Sequence, residues 1–230
     1  MDLSPERVLA VYAHPDDAEV SCGGALALFA ERGADVLVAV VARGDKGSST
    51  RVSDVESLVA ARHAETEAAG VVLGVTAHRW LDRDDGEVVN DALLRADLVA
   101  MVRELRPDLV VTPDPTAVYY GATYVNHPDH RAVGWATLDA VTHAAPNPNY
   151  HPGAEPWRSP MMLLSGSLEP DAWIDIAATI DAKAAALACH TSQLGEAGEY
   201  LRTVVRQRAE DEGRVAGVKL AEGFRLLRLG

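Results

Sequence analysis

Two short histidine–carboxylate clusters, lying far apart in a chain of 230 residues, constrain this sequence more than any other feature of it. The first reads His14-Pro15-Asp16-Asp17-Ala18-Glu19 and the second Asn126-His127-Pro128-Asp129-His130. Each contains a His-Pro-Asp core. Proline locks its own φ and drives the preceding residue out of the α region, so each core is a stiff turn that displays imidazole and carboxylate together. A fold that uses both clusters has to carry two distant turns to one place.

The hydrophobic pattern supplies such a fold. Short apolar runs at residues 8–13, 35–41, 109–112 and 161–165 read as buried strands, with a weaker one at 78–81. Helical stretches alternate with them. One is expected from Gly23-Gly24 to about residue 31, closed by Gly33, and others over 54–69 (stopping at Gly70), 92–105, 130–143 and 180–193, with a polar helix from Gly195 to about Val215. Residues 43–53, 113–126 and the proline-rich 145–160 read as loops, and Asp84-Asp85-Gly86 as a turn. Buried strands alternating with helices imply a mostly parallel sheet covered on both faces, an α/β fold in one domain over residues 1–230. Ligands of such sheets gather beyond the carboxyl ends of the strands, and both His clusters follow strands or the loops that leave them.

Bulk properties narrow the function. The formal net charge of −13 argues against nucleic acid, whose binding needs Lys and Arg on the phosphates. No uncharged apolar run reaches the roughly 18 residues of a membrane span, and the start Met1-Asp2-Leu3-Ser4-Pro5-Glu6-Arg7 lacks the basic and apolar regions of a signal peptide; a cytoplasmic protein is expected. Cys22 and Cys189 are too few for a four-cysteine zinc site and read as reduced thiols. Ser21-Cys22-Gly23-Gly24 does not supply the Gly-x-Gly-x-x-Gly of a dinucleotide site.

A catalytic zinc site commonly takes three protein ligands and keeps one position open. His14, Asp17 and His130 would give such a set. Asp16 would then be free to accept a proton, His127 would stand beside the metal, and Asp129 could hydrogen-bond an imidazole and raise its basicity. Glu19 is either a carboxylate complementing a helix dipole or a further ligand. Asp45, Ser48, Asp85 and Asn126 could bind substrate hydroxyls, with turn formation as the competing role for Asp45 and Asp85. Arg62, Arg43 and Lys46 could hold an anionic group or be plain surface charges, and Tyr120 and Tyr124 could place a phenol in the site or pack within their loop.

The segment His14-Pro15-Asp16-Asp17-Ala18-Glu19 with Cys22-Gly23-Gly24, together with His127-Pro128-Asp129-His130, resembles the paired signatures of the LmbE-like, or PIG-L, zinc deacetylases. Asp85-Gly86-Glu87, Asp114-Pro115 and His190-Thr191-Ser192-Gln193 are similar to softer elements of that family. The resemblance implies a Rossmann-like three-layer α/β/α sandwich. It implies zinc, one ion per chain with Fe2+ as the alternative in the cell, on His14, Asp17 and His130. Asp16 matches the general base, His127 the residue that stabilises the oxyanion or protonates the amine, and Asp129 the carboxylate that tunes His127. The implied reaction removes an N-acetyl group from an N-acetylglucosamine-like sugar or glycoconjugate; the alternative is a metal-dependent amidase of a thiol conjugate or other small amide. A small N-acetylated sugar is the expected partner, and a homo-oligomer is compatible with the sequence. A non-catalytic sugar-binding protein of the same fold would be expected to lack Asp16 or His127, and both are present.

Overall fold

The computed structural model describes residues 1–48, 53–151, 153–194 and 198–229. In chain order its elements are β1 (Arg7–Tyr12), α1 (Asp17–Glu31), β2 (Asp35–Ala42), α2 (Val55–Leu73), β3 (Ala77–Arg83), α3 (Ala92–Leu105), β4 (Leu109–Pro113), the short hairpin β5 (Tyr119–Tyr120) and β6 (Tyr124–Val125), and α4 (Pro128–Asp139), which runs into a π-helical turn at Ala140–Ala144. There follow β7 (Met161–Ser165), β8 (Ala172–Asp175), α5 (Ile180–Leu187), α6 (Thr191–Leu194), α7 (Gly198–Ala216) and β9 (Ala221–Arg228).

Seven strands form one sheet in the order β3-β2-β1-β4-β7-β9-β8. The first five are parallel, in the register that sets Ala10 opposite both Val38 and Val111, and β9 runs antiparallel to both of its neighbours. Alternate residues of each strand enter opposite layers. Val8, Ala10 and Tyr12 pack with Leu26 and Phe29 of α1, Leu187 of α5 and Val205 of α7, while Leu9, Val11 and Ala13 pack with Leu98 and Val102 of α3 and Val133 of α4. The result is the expected α/β/α sandwich. Successive strands step outward from β1 to β3 on one side, whereas β4 lies on the other side of β1. The loops leaving β1 and β4 therefore diverge, and the crevice between them is the place where such sheets bind ligands.

Several local expectations change. Helix α1 starts at Asp17, not at Gly23; its backbone breaks at Cys22 (φ −145°, ψ 17°), so the Gly-Gly pair begins its second segment. That second segment is capped from across the chain: Glu222 of β9 accepts from the N–H groups of Gly24 (3.0 Å) and Ala25 (2.8 Å), and also pairs with the buried Lys183 at 2.5 Å. Helix α2 passes Gly70 and ends at Gly74, whose φ of +75° suits only glycine well. The helix expected over 180–193 breaks after Leu187, where the wholly buried His190 turns inward, and Thr191 starts a new turn. Strands β5, β6, β8 and β9 were not expected; they are two residues long, four residues long, or interrupted by Arg225 and Arg228. The loop residues Ser49, Thr50 and Pro152 and the helix start at Gly195 lie outside the described residues.

Removing one member of a buried ion pair strands the other. Glu222→Ala should lower the unfolding free energy by about 3–5 kcal/mol in denaturant titrations, because it leaves the Lys183 ammonium and two helix N–H groups unpaired. A loss below about 1 kcal/mol would contradict this role for Glu222.

Candidate active site

The first cluster leaves β1 and becomes the first turn of α1. Asp16 occupies the N-cap position in a left-handed conformation (φ 95°, ψ −22°), yet its side chain makes no capping hydrogen bond. Asp17 instead secures the turn, accepting from the His14 backbone N–H at 2.8 Å. The second cluster forms the first turn of α4. His127 is its N-cap and Pro128 follows at the position where a missing N–H costs nothing. The β5–β6 hairpin leads into it, with the Asn126 N–H donating to Val118 O at 2.8 Å. Gly134 lets α4 sit directly on the end of β4: a Cβ there would lie 2.5 Å from the carbonyl oxygen of Pro113.

These turns bring His14, Asp17 and His130 together. His14 Nδ1 lies 3.2 Å from His130 Nε2 and 3.3 Å from Asp17 Oδ2, and His130 Nε2 lies 3.1 Å from Asp17 Oδ1. Their outer contacts fix which nitrogen carries a lone pair inward. His130 Nδ1 donates to Asn126 Oδ1 at 3.0 Å, so Nε2 is the free donor atom toward Asp17. His14 Nε2 donates to Asp129 Oδ2 at 3.2 Å, with Asp85 Oδ1 equally near, so Nδ1 is free on the same side. Two imidazole lone pairs and a carboxylate within 4.8 Å of one another make a nitrogen–oxygen donor set suited to zinc or ferrous iron. A second grouping, His14, Asp85 and His127, is equally compact. It would have to use His14 Nε2, which the fully buried Asp129 already engages, so the geometry favours the first set.

The electrostatics agree. Burial opposes charge on His14, but hydrogen bonds to Asp129, Asp17 and Asp85 lift its pKa to about 12. Burial likewise opposes charge on Asp17, and His130 and His14 nevertheless hold it well below the usual carboxylate range. The pocket thus stabilises positive charge strongly. Asp16 behaves in the opposite way: burial, then the neighbouring Asp17 carboxylate, push it up to about 7. Burial and the adjacent His14 lower the pKa of His127. Its Nδ1 accepts the Asp129 N–H at 3.3 Å, so the ring proton sits on Nε2 and His127 is a neutral donor.

Some expected roles are corrected. Arg62 is buried, and its two terminal nitrogens donate to the carbonyls of Gly44 and Gly47, so it braces the loop after β2. Arg43 and Lys46 are engaged by Asp84 and Glu87. Asp45 is buried and accepts from the Asp85 N–H at 2.9 Å, so it shapes a turn, and Asp85 faces His14. Asn126 is committed to His130 and to Ala117 O and is not available to a sugar hydroxyl. Asp129 lies nearer His14 (3.2 Å) than His127 (3.9 Å). Glu19 sits in the first turn of α1, its carboxylate buried 3.7 Å from His190 Nε2, and belongs to neither grouping of candidate ligands. Tyr120 and Tyr124 do stand at the site. With His130, Asn126 and, on the far wall, Arg208, they line a cleft of about 680 Å³, and the Tyr120 hydroxyl donates to Gly166 O at 2.5 Å.

Comparison with known proteins matches this architecture. The family model described as PIG-L, GlcNAc-PI de-N-acetylase, matches residues 9–141. A diacetylchitobiose deacetylase of Thermococcus kodakarensis is 29% identical over 96% of this chain and 83% of that protein. A 1D-myo-inositol 2-acetamido-2-deoxy-alpha-D-glucopyranoside deacetylase of Rhodococcus erythropolis is 31% identical over 84% of this chain and 83% of its own length. The solved N,N'-diacetylchitobiose deacetylase of Pyrococcus horikoshii superposes with a TM-score of 0.89 at 28% identity, covering 97% of this chain and 84% of that one.

Metal analysis tests the donor set. The purified protein should carry about one divalent ion per chain, His130→Ala should lose most of it, and Asn126→Ala, which frees the outer face of His130, should weaken affinity by about 10–100-fold. Full metal retention in His130→Ala would remove His130 from the set.

Proposed function

This chain belongs to the PIG-L family, and from that premise we propose that it is a metal-dependent hydrolase that removes the N-acetyl group from an N-acetylglucosamine-like sugar or glycoconjugate. The acetamido sugars in the names of its bacterial and archaeal relatives support that substrate class. The observation that carries the reading is the state of Asp16. A half-buried carboxylate beside a compact His/Asp/His cluster, at the N-cap position but not spent on capping, is free for chemistry.

A divalent ion, zinc or ferrous iron, would be held by His14, Asp17 and His130, and would supply a Lewis acid for a carbonyl oxygen and lower the pKa of water. The protein groups do the rest. Asp16 accepts a proton as water attacks the amide carbon. His127 donates from Nε2 to the oxygen on which negative charge grows; one such donor is commonly worth about 3–4 kcal/mol. As a neutral imidazole whose Nδ1 is already accepting, His127 is better placed to stabilise the oxyanion than to protonate the amine. The C–N bond then breaks, and Asp16 returns its proton to the amine nitrogen, leaving acetate and the free amino sugar. Asp129 keeps its charge between the N–H groups of Gly86 and Val88 and holds the His14 ring in place. The cleft past Tyr120 and Tyr124 takes the remainder of the substrate.

Acetate release from a panel of N-acetylglucosamine derivatives tests the proposal. A chelator-sensitive reaction yielding acetate and free amine one for one is expected, and Asp16→Asn should lower turnover by roughly 10²–10⁴ with metal retained. If the metal-loaded protein releases no acetate from such sugars but cleaves a thiol conjugate or another small amide, the amidase reading replaces this one.

A further inference from the structure

The His190-Thr191-Ser192-Gln193 segment lies far from both clusters in sequence and has no part in the chemistry above, yet it touches the turn that carries Asp16. The Gln193 side-chain amide donates from Nε2 to the carbonyl oxygen of Pro15 at 3.0 Å. That carbonyl belongs to the peptide joining Pro15 to Asp16. Its orientation determines where the backbone enters Asp16, the residue held at φ 95°. A non-glycine residue in that region stores of order 1–3 kcal/mol and stays there only when its surroundings impose it. The free Asp16 carboxylate, uncommitted to the helix end, does not impose it.

Gln193 is itself anchored. Glu65 on α2 gathers three donors from the start of α6: Thr191 Oγ1 at 2.7 Å, the Ser192 N–H at 2.7 Å and Ser192 Oγ at 2.6 Å. Beside them the wholly buried His190 brings Nδ1 to 3.5 Å from the Gln193 amide and Nε2 to 3.7 Å from the Glu19 carboxylate. His190 thereby sets the segment against the first turn of α1. Glu65 thus holds Thr191 and Ser192, the backbone carries directly on to Gln193, and Gln193 reaches Pro15 O.

We propose that Glu65 and Gln193 form a strut that holds the Pro15–Asp16 peptide in its strained orientation and so positions the Asp16 carboxylate, which makes Gln193 a positioning residue for the reaction. The role of Asp16 as the base rests on the deacetylase reading; the backbone effect does not. The strut acts on the base and not on the metal ligands, because His14 and Asp17 have their own contacts to Asp129, Asp85 and His130.

Two variants test it. Gln193→Glu keeps the shape and loses the donor, since an ionised carboxylate only accepts. Glu65→Ala removes the anchor from a half-buried position on α2 and serves if the first variant fails to fold. Each should lower kcat for acetate release by about 10–100-fold, the scale of a small misplacement of a reacting group, with KM, metal content and melting temperature held. The double variant should be no worse than the weaker single one, as expected for one coupled unit. Crystal structures of the variants provide an arm independent of turnover: Asp16 should leave the neighbourhood of φ 95°. If Asp16 keeps that conformation, or if kcat stays at the wild-type value while the wild type releases acetate, the strut is overturned. Loss of metal in step with kcat would also overturn it, by making the segment a general support of the site. A wild type that releases no acetate contradicts the deacetylase reading instead, and the crystallographic arm still decides the strut.

Discussion

A charged carboxylate with no solvent contact survives only if every lone pair that matters is met, and Asp129 is such a group. Burial alone would push its pKa up, but the hydrogen bonds from His14 and the Gly86 N–H hold it down. Those donors and their acceptor come from three segments. His14 follows β1, Gly86 and Val88 follow β3, and Asp129 itself lies in the first turn of α4. One anion therefore ties the loops of the crevice together and turns the His14 ring so that Nδ1 faces Asp17 and His130. The donor set, and with it the place where a metal would sit, follows from satisfying that charge.

The chemistry and the specificity of the site are divided between different parts of the fold. The groups proposed to react sit at the starts of helices anchored to the central parallel strands, where backbone pairing leaves little freedom. The cleft proposed for the rest of the substrate opens toward the β5–β6 hairpin and α7. Such a division lets relatives share a reaction while differing in what is attached to the acetylated group.

Much of this was readable from residues alone, for physical reasons. The central strands are continuous apolar runs because both faces of a parallel sheet are buried, and the two His-Pro-Asp cores announce rigid turns by their prolines. What was hidden depends on contacts between distant residues. Arg62 has the composition of an anion-binding residue and becomes a loop brace only because Gly44 and Gly47 bring carbonyls against it. Asn126 and Asp129 sit next to histidines in sequence, but each serves a ring whose identity only the fold decides; the four-residue step from Asn126 to His130 was the available signal for the first. The break before His190 carries no glycine or proline, and the residues after it meet Glu19 and Glu65 on other helices. Strand β9 hides behind arginines on its outer half and a buried Glu222 at its start.

The central claim is that the inward lone pairs of His14 and His130, with Asp17 between them, hold the catalytic ion while Asp129 keeps the outer face of His14. Anomalous diffraction from crystals of the zinc-loaded protein measures this directly. The account predicts one strong peak per chain at about 2.0–2.2 Å from His14 Nδ1, His130 Nε2 and an Asp17 oxygen, with the Asp129 carboxylate still on His14 Nε2. A peak instead on His14 Nε2 between Asp85 and His127, with the inward side of His14 bare, would contradict it.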